Sequence, residues 1–263
     1  VGEILQQRFL RTGDLQLAER ANVHDLVALD QVKKNARYRA MLLGNLGMLH
    51  ERVGNYRIAL SYLEPRDALP WHDDETSLGV RLAYARSLFH VGRDADAARV
   101  ADAALASVDR TPALSAYAPL ALDRAALDNL SAARYDRALA LYDRLVPSVA
   151  EAGPGAKTKQ AQRNRIVLRF ARAAAALGAE KPARTLDDLA YVERALADPS
   201  SRDVLAWPHA SIDHVMSSYR LIASGLRAHA QGALGDRRAE DAALRARRGI
   251  YAERFARVPR REY

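Results

Sequence analysis

The stretch from Ala40 to Leu63, AMLLGNLGMLHERVGNYRIALSYL, decides how this chain folds. Met41, Leu42, Leu46 and Leu49 recur at the interval that puts apolar side chains on one helical face, and Ile58, Leu60, Tyr62 and Leu63 resume such a stripe after Gly54-Asn55. Glycine at the break can adopt the left-handed conformation that ends a helix, and the asparagine after it is suited to starting another. The predicted unit is a helix hairpin with one apolar face, and a lone hairpin cannot bury that face.

Working outward, the pattern repeats. A small turn residue is followed five positions later by alanine at Gly13 and Ala18, Gly54 and Ala59, Gly92 and Ala97, Ala133 and Ala138, and Gly178 and Ala183; Gly235 has Ala239 one position early. Eight residues before the turn stand Leu5, Leu46, Tyr84, Ala125 and Phe170, with Leu226 displaced by one. Alanine after the turn keeps the second helix thin where the two axes approach, toward the short end of the usual range of about 8–10 Å. Stacked side by side, about six such hairpins would form one continuous elongated core. Helix pairs are predicted near 1–31, 36–66, 75–108, 114–150, 159–197 and 209–257. Breakers separate them at Pro65 to Pro70, Thr111-Pro112, Gly153-Pro154-Gly155 and Asp198-Pro199-Ser200-Ser201, and a linker or degenerate helix lies around Asp203 to Trp207. No shift of composition marks a domain boundary, so 1–263 reads as a single repeat domain.

The residues resemble the tetratricopeptide repeat. Asn45-Leu46-Gly47, Gly54-Asn55-Tyr56, Ala59 and Leu63 match its Leu-Gly, Gly-x-Tyr and Ala positions, and GRDADAARVADAAL (Gly92 to Leu105) and Arg134 to Leu145 resemble its second half. The period exceeds the usual 34 or so residues, tryptophan is missing from its expected place, and Pro65 interrupts the second helix. The longer period is similar to arrays attached to large bacterial signalling proteins. The resemblance implies an all-α, right-handed superhelical solenoid that binds another protein, or another part of its own polypeptide, along a concave groove lined by first helices. Carried over position by position, that groove holds Asn45, Met48, Glu51 and Arg52; then Arg86, Phe89 and His90; then Asp123 and Arg124; then Arg165, Leu168, Arg169 and Arg172. Asn45, Arg52, Arg86, Arg124, Arg165, Arg169 and Arg172 are the candidates for gripping a carboxylate-bearing segment, with Phe89 as an apolar floor. Guanidinium groups bind carboxylates in a planar two-point geometry, and an asparagine can bridge to an extended peptide backbone. Against this stands the ordinary alternative that such arginines are a solvated helix face paired with nearby acids. The group Arg163, Arg165, Arg169 and Arg172 has few acidic neighbours in the sequence.

Composition narrows the chemistry. The 263 residues include no cysteine, which removes disulfides, thiolate metal sites and cysteine nucleophiles, and the 49% hydrophobic and 27% charged balance is globular. No apolar run nears the roughly 18–20 residues of a membrane span. Val1 stands where a start methionine would, with no signal-type stretch after it, so the chain reads as a cytoplasmic piece of a longer protein. The net charge of +8 points toward acidic partners, but only five of the 40 bases are lysine. Arginine and alanine both have GC-rich codons, which discounts that excess.

No enzyme, cofactor or metal is expected. Gly153 to Thr158 lacks the glycines of a phosphate loop, with Ala156 and Glu151 in their places, and reads as a linker. His72-Asp73-Asp74-Glu75, with His50 and Asp94 or Asp102, is superficially similar to the metal set of all-helical HD phosphohydrolases, the basis of a metal-dependent hydrolase alternative. In the repeat register His50 lies on a helix and His72 in a linker, so Asp73, Asp74 and Glu75 read instead as caps and first-turn acids. His209 and His214 read as structural. The runs Arg237-Arg238, Arg245 to Arg248 and Arg257 to Arg261 carry a nucleic-acid alternative, weakened by the 6% aromatic content, thin for base-stacking platforms.

Overall fold

Six residues adopt positive φ among the described residues: Gly13, Gly54, Gly92, Ala133, Glu180 and Gly235. At Gly54 the backbone N–H bonds back to Glu51 O (3.0 Å) and that of Asn55 to His50 O (2.8 Å), which satisfies carbonyls the ending helix would leave open. Glu180 and Lys181 repeat the pattern onto Leu177 O and Ala176 O. The fifth turn therefore centres on Glu180, two residues past the expected Gly178, which is the last residue of its helix. Burial agrees: five residues past Glu180 stands the fully buried Thr185, whereas Ala183 is exposed.

The structure is a computed structural model that describes residues 2–32, 34–150, 158–205 and 212–256. Every regular element among them is helical. The helices gather into two compact units, Val1–Ala132 and Ala133–Tyr263. The first contains α1 (Gly2–Thr12), α2 (Leu15–Gln31), α3 (Ala36–Arg52), α4 (Tyr56–Asp67), α5 (Glu75–His90), α6 (Asp94–Arg110), a 3-10 turn at Pro112–Tyr117 and α7 (Ala118–Ser131). The second contains α8 (Tyr135–Ala150), α9 (Lys159–Gly178), α10 (Pro182–Ala197), the short α11 (Ser201–Leu205), α12 (Ile212–Ala233) and α13 (Arg237–Ala256).

Within the first unit each hairpin packs on the next. α3 lies against α4 and also against α2 and α5, and α5 against α4, α6 and α7. Leu46, Leu63, Leu88 and Leu105 are almost wholly buried along this line. Each contributes about 1.5–3 kcal/mol of hydrophobic stabilisation. The narrow waist is real: Ala59 and Ala97 are fully buried, and a Cβ on Gly47 would overlap the side chain of Leu63. Asp14 caps α2 and Asp74 caps α5, their carboxylates accepting from Gln16 N (2.9 Å) and Ser77 N (2.7 Å). Asn55 makes no such bond. Pro65 does not stop α4, which runs two residues further to Asp67; so near the end, its missing N–H removes only one helix bond. The linker beyond is pinned by Trp71, whose ring packs against the Arg66 and Arg81 guanidiniums, 3.9 and 4.6 Å from its centroid. Arg66 also donates to Leu69 O and Pro70 O.

In the second unit α9 packs between α8 and α10, α10 against α12, and α12 against α13, with α11 touching α9, α10 and α12. Phe170, Leu189, Val192, Leu205 and Met216 form its core. α11 covers the first part of the stretch from Asp203 to Trp207 where a linker or degenerate helix was expected; residues 206 and 207 lie outside the described residues.

Candidate functional site

The first helices of the N-terminal unit bring several candidates together. On α3, Asn45 is buried and its backbone carbonyl accepts from Gln6 Nε2 (3.1 Å). Glu51, also buried, holds Arg86 of α5 side-on: Nε donates to Oε1 (2.7 Å) and Nη2 to Oε2 (3.2 Å). That two-point grip leaves Nη1 of Arg86 unused by Glu51. Arg52 next to it is exposed, 3.9 Å from Glu51. One turn on, the guanidinium of Arg124 lies 4.8 Å from the Phe89 ring centroid, and Arg124 Nε donates to the buried Asp128 (2.7 Å). Asp123 is exposed, yet the protein packed around it desolvates its carboxylate and raises its pKa, opposed in part by the charge of Arg124. His90 stacks on Tyr56, centroids 4.0 Å apart. The face therefore carries arginines already oriented by acids, with a cation on an aromatic ring at its centre and Met48 half-buried beside it.

The C-terminal unit also pairs its arginines with acids, here drawn from helices on both sides of α9. Arg172 donates through Nε and Nη2 to both oxygens of Asp188 (2.7 Å each), and Arg169 Nη1 adds a third bond (2.9 Å). Arg172 also reaches Asp143 of α8 (3.3 Å), which accepts from Arg184 (2.6 Å), and Arg169 lies over Tyr191. The scarcity of acids around this cluster in the sequence does not hold in space, because α8 and α10 supply them. Arg165 is half-buried and engaged within the chain, and Leu168 is buried.

Register explains where the Arg172–Asp188 pair sits. Counted from Glu180, Arg172 stands eight residues before the turn, where the other hairpins of this kind place Leu5, Leu46, Tyr84 and Ala125. Asp188 stands eight after it, where Ala21, Val100 and Leu141 are buried. A buried ion pair thus occupies core positions in this hairpin, and the residues matching Asn45, Met48 and Arg52 are Ala171, Ala174 and Gly178. Sequence reading missed Asp188 and Asp143; a turn placed at Glu180 would have put Asp188 as a charge on a core stripe, whereas Asp143 comes from the preceding helix and no local signal marks it.

His72 is exposed, while Asp74 serves as a cap and Asp73 pairs with Arg110 (3.1 Å). Among the described residues no group of three histidines or acids is arranged to hold a metal, and no helix is long and apolar enough to cross a membrane. Arg237 pairs with Glu240 (2.9 Å). Arg257 to Arg261, His209, the side chain of His214 and the stretch Glu151 to Lys157 lie outside the described residues.

No family model matches the chain, and no curated protein does. Solved structures do. A putative kinesin light chain of Podosopora anserina with nearly identical TPR-like repeats aligns over 88% of this chain and 100% of its own at 16% identity, TM-score 0.54. BtubC (BKLC) from P. vanneervenii aligns over 100% of this chain and 96% of its own at 17% identity, TM-score 0.56. The fold is a TPR-like helical repeat.

Proposed function

We propose that the chain is a non-catalytic scaffold that binds another protein, or another part of its own polypeptide. In this reading the first-helix face of the N-terminal unit takes an extended, carboxylate-bearing segment. The observation that carries it is the Glu51–Arg86 pair: a guanidinium held in fixed orientation with Nη1 turned from its partner, beside the exposed Arg52 and the half-buried Phe89. Pre-orientation lowers the entropy lost when a ligand carboxylate docks, and a charge-assisted hydrogen bond contributes about 1.5–3 kcal/mol. Asn45 and Arg124 act from beneath, the first fixing α3 and the second covering Phe89. Arg165, Arg169 and Arg172 enter only as residues that hold the second unit together.

The test is a screen of short acidic peptides by fluorescence anisotropy on the full chain, each peptide in free-carboxylate and amidated form. Binders should prefer the free carboxylate, and Arg52→Gln and Arg86→Lys should each weaken them about tenfold, the loss of one such bond. Arg86→Lys keeps a charge beside buried Glu51, so the fold survives while the planar fork is lost. Affinity indifferent to amidation and to both substitutions removes the groove assignment.

A further inference from the structure

A cavity of about 330 Å³ opens between α2 and α3, lined by Leu15, Ala18, Leu49 and Val53 as an apolar floor and by Glu19, Asn22, His50 and Asn55 as a polar rim. It lies on neither the Glu51–Arg86 pair nor the Phe89–Arg124 contact. Two of the other hairpins carry an aromatic ring at the equivalent place, where the remaining three carry Asp94, Pro182 and Arg237. Two residues past the turn, the second hairpin has Tyr56, whose ring stacks on His90, and the hairpin turning at Ala133 has Tyr135, whose ring lies against Gly178. The first hairpin has Leu15 at that position, 62% exposed and too short to close the gap.

The rim offers acceptors with capacity to spare. Glu19 makes no ion pair or hydrogen bond among the described residues, and it is the one acidic residue among those lining the cavity. Asn55 starts α4 without the side-chain bond such a residue ordinarily makes. Asn22 Oδ1 takes one bond from the His50 ring (Nε2, 3.3 Å), which leaves its second lone pair. His50 is clamped by that contact and by stacking on Tyr62, centroids 5.6 Å apart. Desolvation lowers its pKa, so it stands at neutral pH as an uncharged wall and does not repel a cation.

We propose that this cavity is a second binding pocket, which receives a lysine side chain of a partner protein: the alkyl stem on Leu15, Ala18, Leu49 and Val53, the ammonium on Glu19, Asn22 and Asn55. An ammonium offers three donors and no acceptor, which complements a rim of carboxylate and amide oxygens, and a four-carbon stem suits an apolar slot with a wet, anionic mouth. The pocket does not rest on the groove reading, because its probe is a small molecule and its residues are separate.

The experiment titrates N-acetyl-lysine methylamide into the full chain and follows the Leu15, Leu49 and Val53 methyl signals and the His50 ring by NMR, with Nε-acetylated, norleucine and tyrosine analogues alongside. Saturable shifts at these residues are expected, at least fivefold weaker for the Nε-acetylated probe, for norleucine and with Glu19→Gln. Leu15→Tyr, which copies Tyr56, should abolish them with an unchanged circular dichroism spectrum, and Arg52→Gln should leave them intact. Absence of saturable shifts, equal or tighter binding of the acetylated, norleucine or tyrosine probe, or indifference to Leu15→Tyr overturns the proposal.

Discussion

Exchanging Asp188 for asparagine should lower the melting temperature of the chain by roughly 10 °C. The carboxylate keeps 3% of its side-chain surface in solvent and accepts bonds from Arg169 (2.9 Å) and Arg172 (2.7 Å). Removing one partner of a buried pair costs about 3–5 kcal/mol, because the remaining charge is left without compensation. Arg169 retains 30% exposure and its contact with Tyr191, and Arg172 retains Asp143, so both keep part of their stabilisation and the lower end, about 3 kcal/mol, applies. For a unit of this size that corresponds to a shift of about 10 °C. A thermal melt followed at 222 nm measures it, with Asp187→Asn on the exposed neighbouring position as the control that should stay within about 0.5 kcal/mol. The double change Arg172→Leu with Asp188→Val, which restores the apolar character of Leu46 and Val100 in the other hairpins, should recover at least half of the loss, since well-packed apolar replacements of buried ion pairs are often neutral. A single Asp188→Asn variant melting within about 1 °C of the parent would refute the view that this pair holds the second unit together.

Gly47→Ala should destabilise the first unit by about 1–3 kcal/mol despite alanine's better helix propensity, because its Cβ would overlap the fully buried Leu63; an unshifted denaturant midpoint would count against the close helix approach. Asp74→Ala should cost about 0.5–2 kcal/mol by removing the cap on Ser77 N, whereas Asn55→Ala, which loses no cap bond, should change stability by under about 0.5 kcal/mol; equal losses in urea titrations would contradict the geometry. Desolvation raises the pKa of Asp123, so the folded chain takes up this proton before the unfolded chain as pH falls, and the ionised carboxylate is penalised above the raised value. Asp123→Asn should therefore raise the melting temperature at pH 7 and leave it unchanged at about pH 3, below the ordinary carboxylate range. Calorimetry showing the same difference at both values would exclude that origin.

The helix pairs were legible because their signals are local. Gly54 and Gly92 mark turns through a conformation few other residues adopt, Asp14 and Asp74 announce the helices they cap, and the apolar stripes around Leu46 and Leu63 have a helical period. The division at Ala132 was not legible, because it falls inside a repeat, beside a turn whose composition matches its neighbours. Nor was the Leu15 cavity: a leucine two residues past a turn is unremarkable in the sequence, and only the structure shows Tyr56 and Tyr135 packing on the next helix from that place in two other hairpins. The linker at Trp71 was legible as a break but not as a clamp, since Arg66 and Arg81 reach its ring from two different helices.

The fifth hairpin shows how a small error in the sequence reading changes a functional assignment. Its left-handed residue is Glu180, and nothing in a glutamate announces that conformation, while Gly178 two residues earlier does. A helix advances about 100° per residue, so a slip of two positions rotates the assigned faces of α9 by about 200°. That rotation moves Arg172 from the core stripe, where Asp188 meets it, onto the face matched to Asn45 and Arg52. Its corrected occupants, Ala171, Ala174 and Gly178, are too small to grip a carboxylate. Arg172 of α9 and Arg86 of α5 both neutralise a buried acid, and the proposed groove differs in setting the exposed Arg52 beside that pair. A reversal of charge at Arg172 should accordingly act on folding, and one at Arg52 on binding.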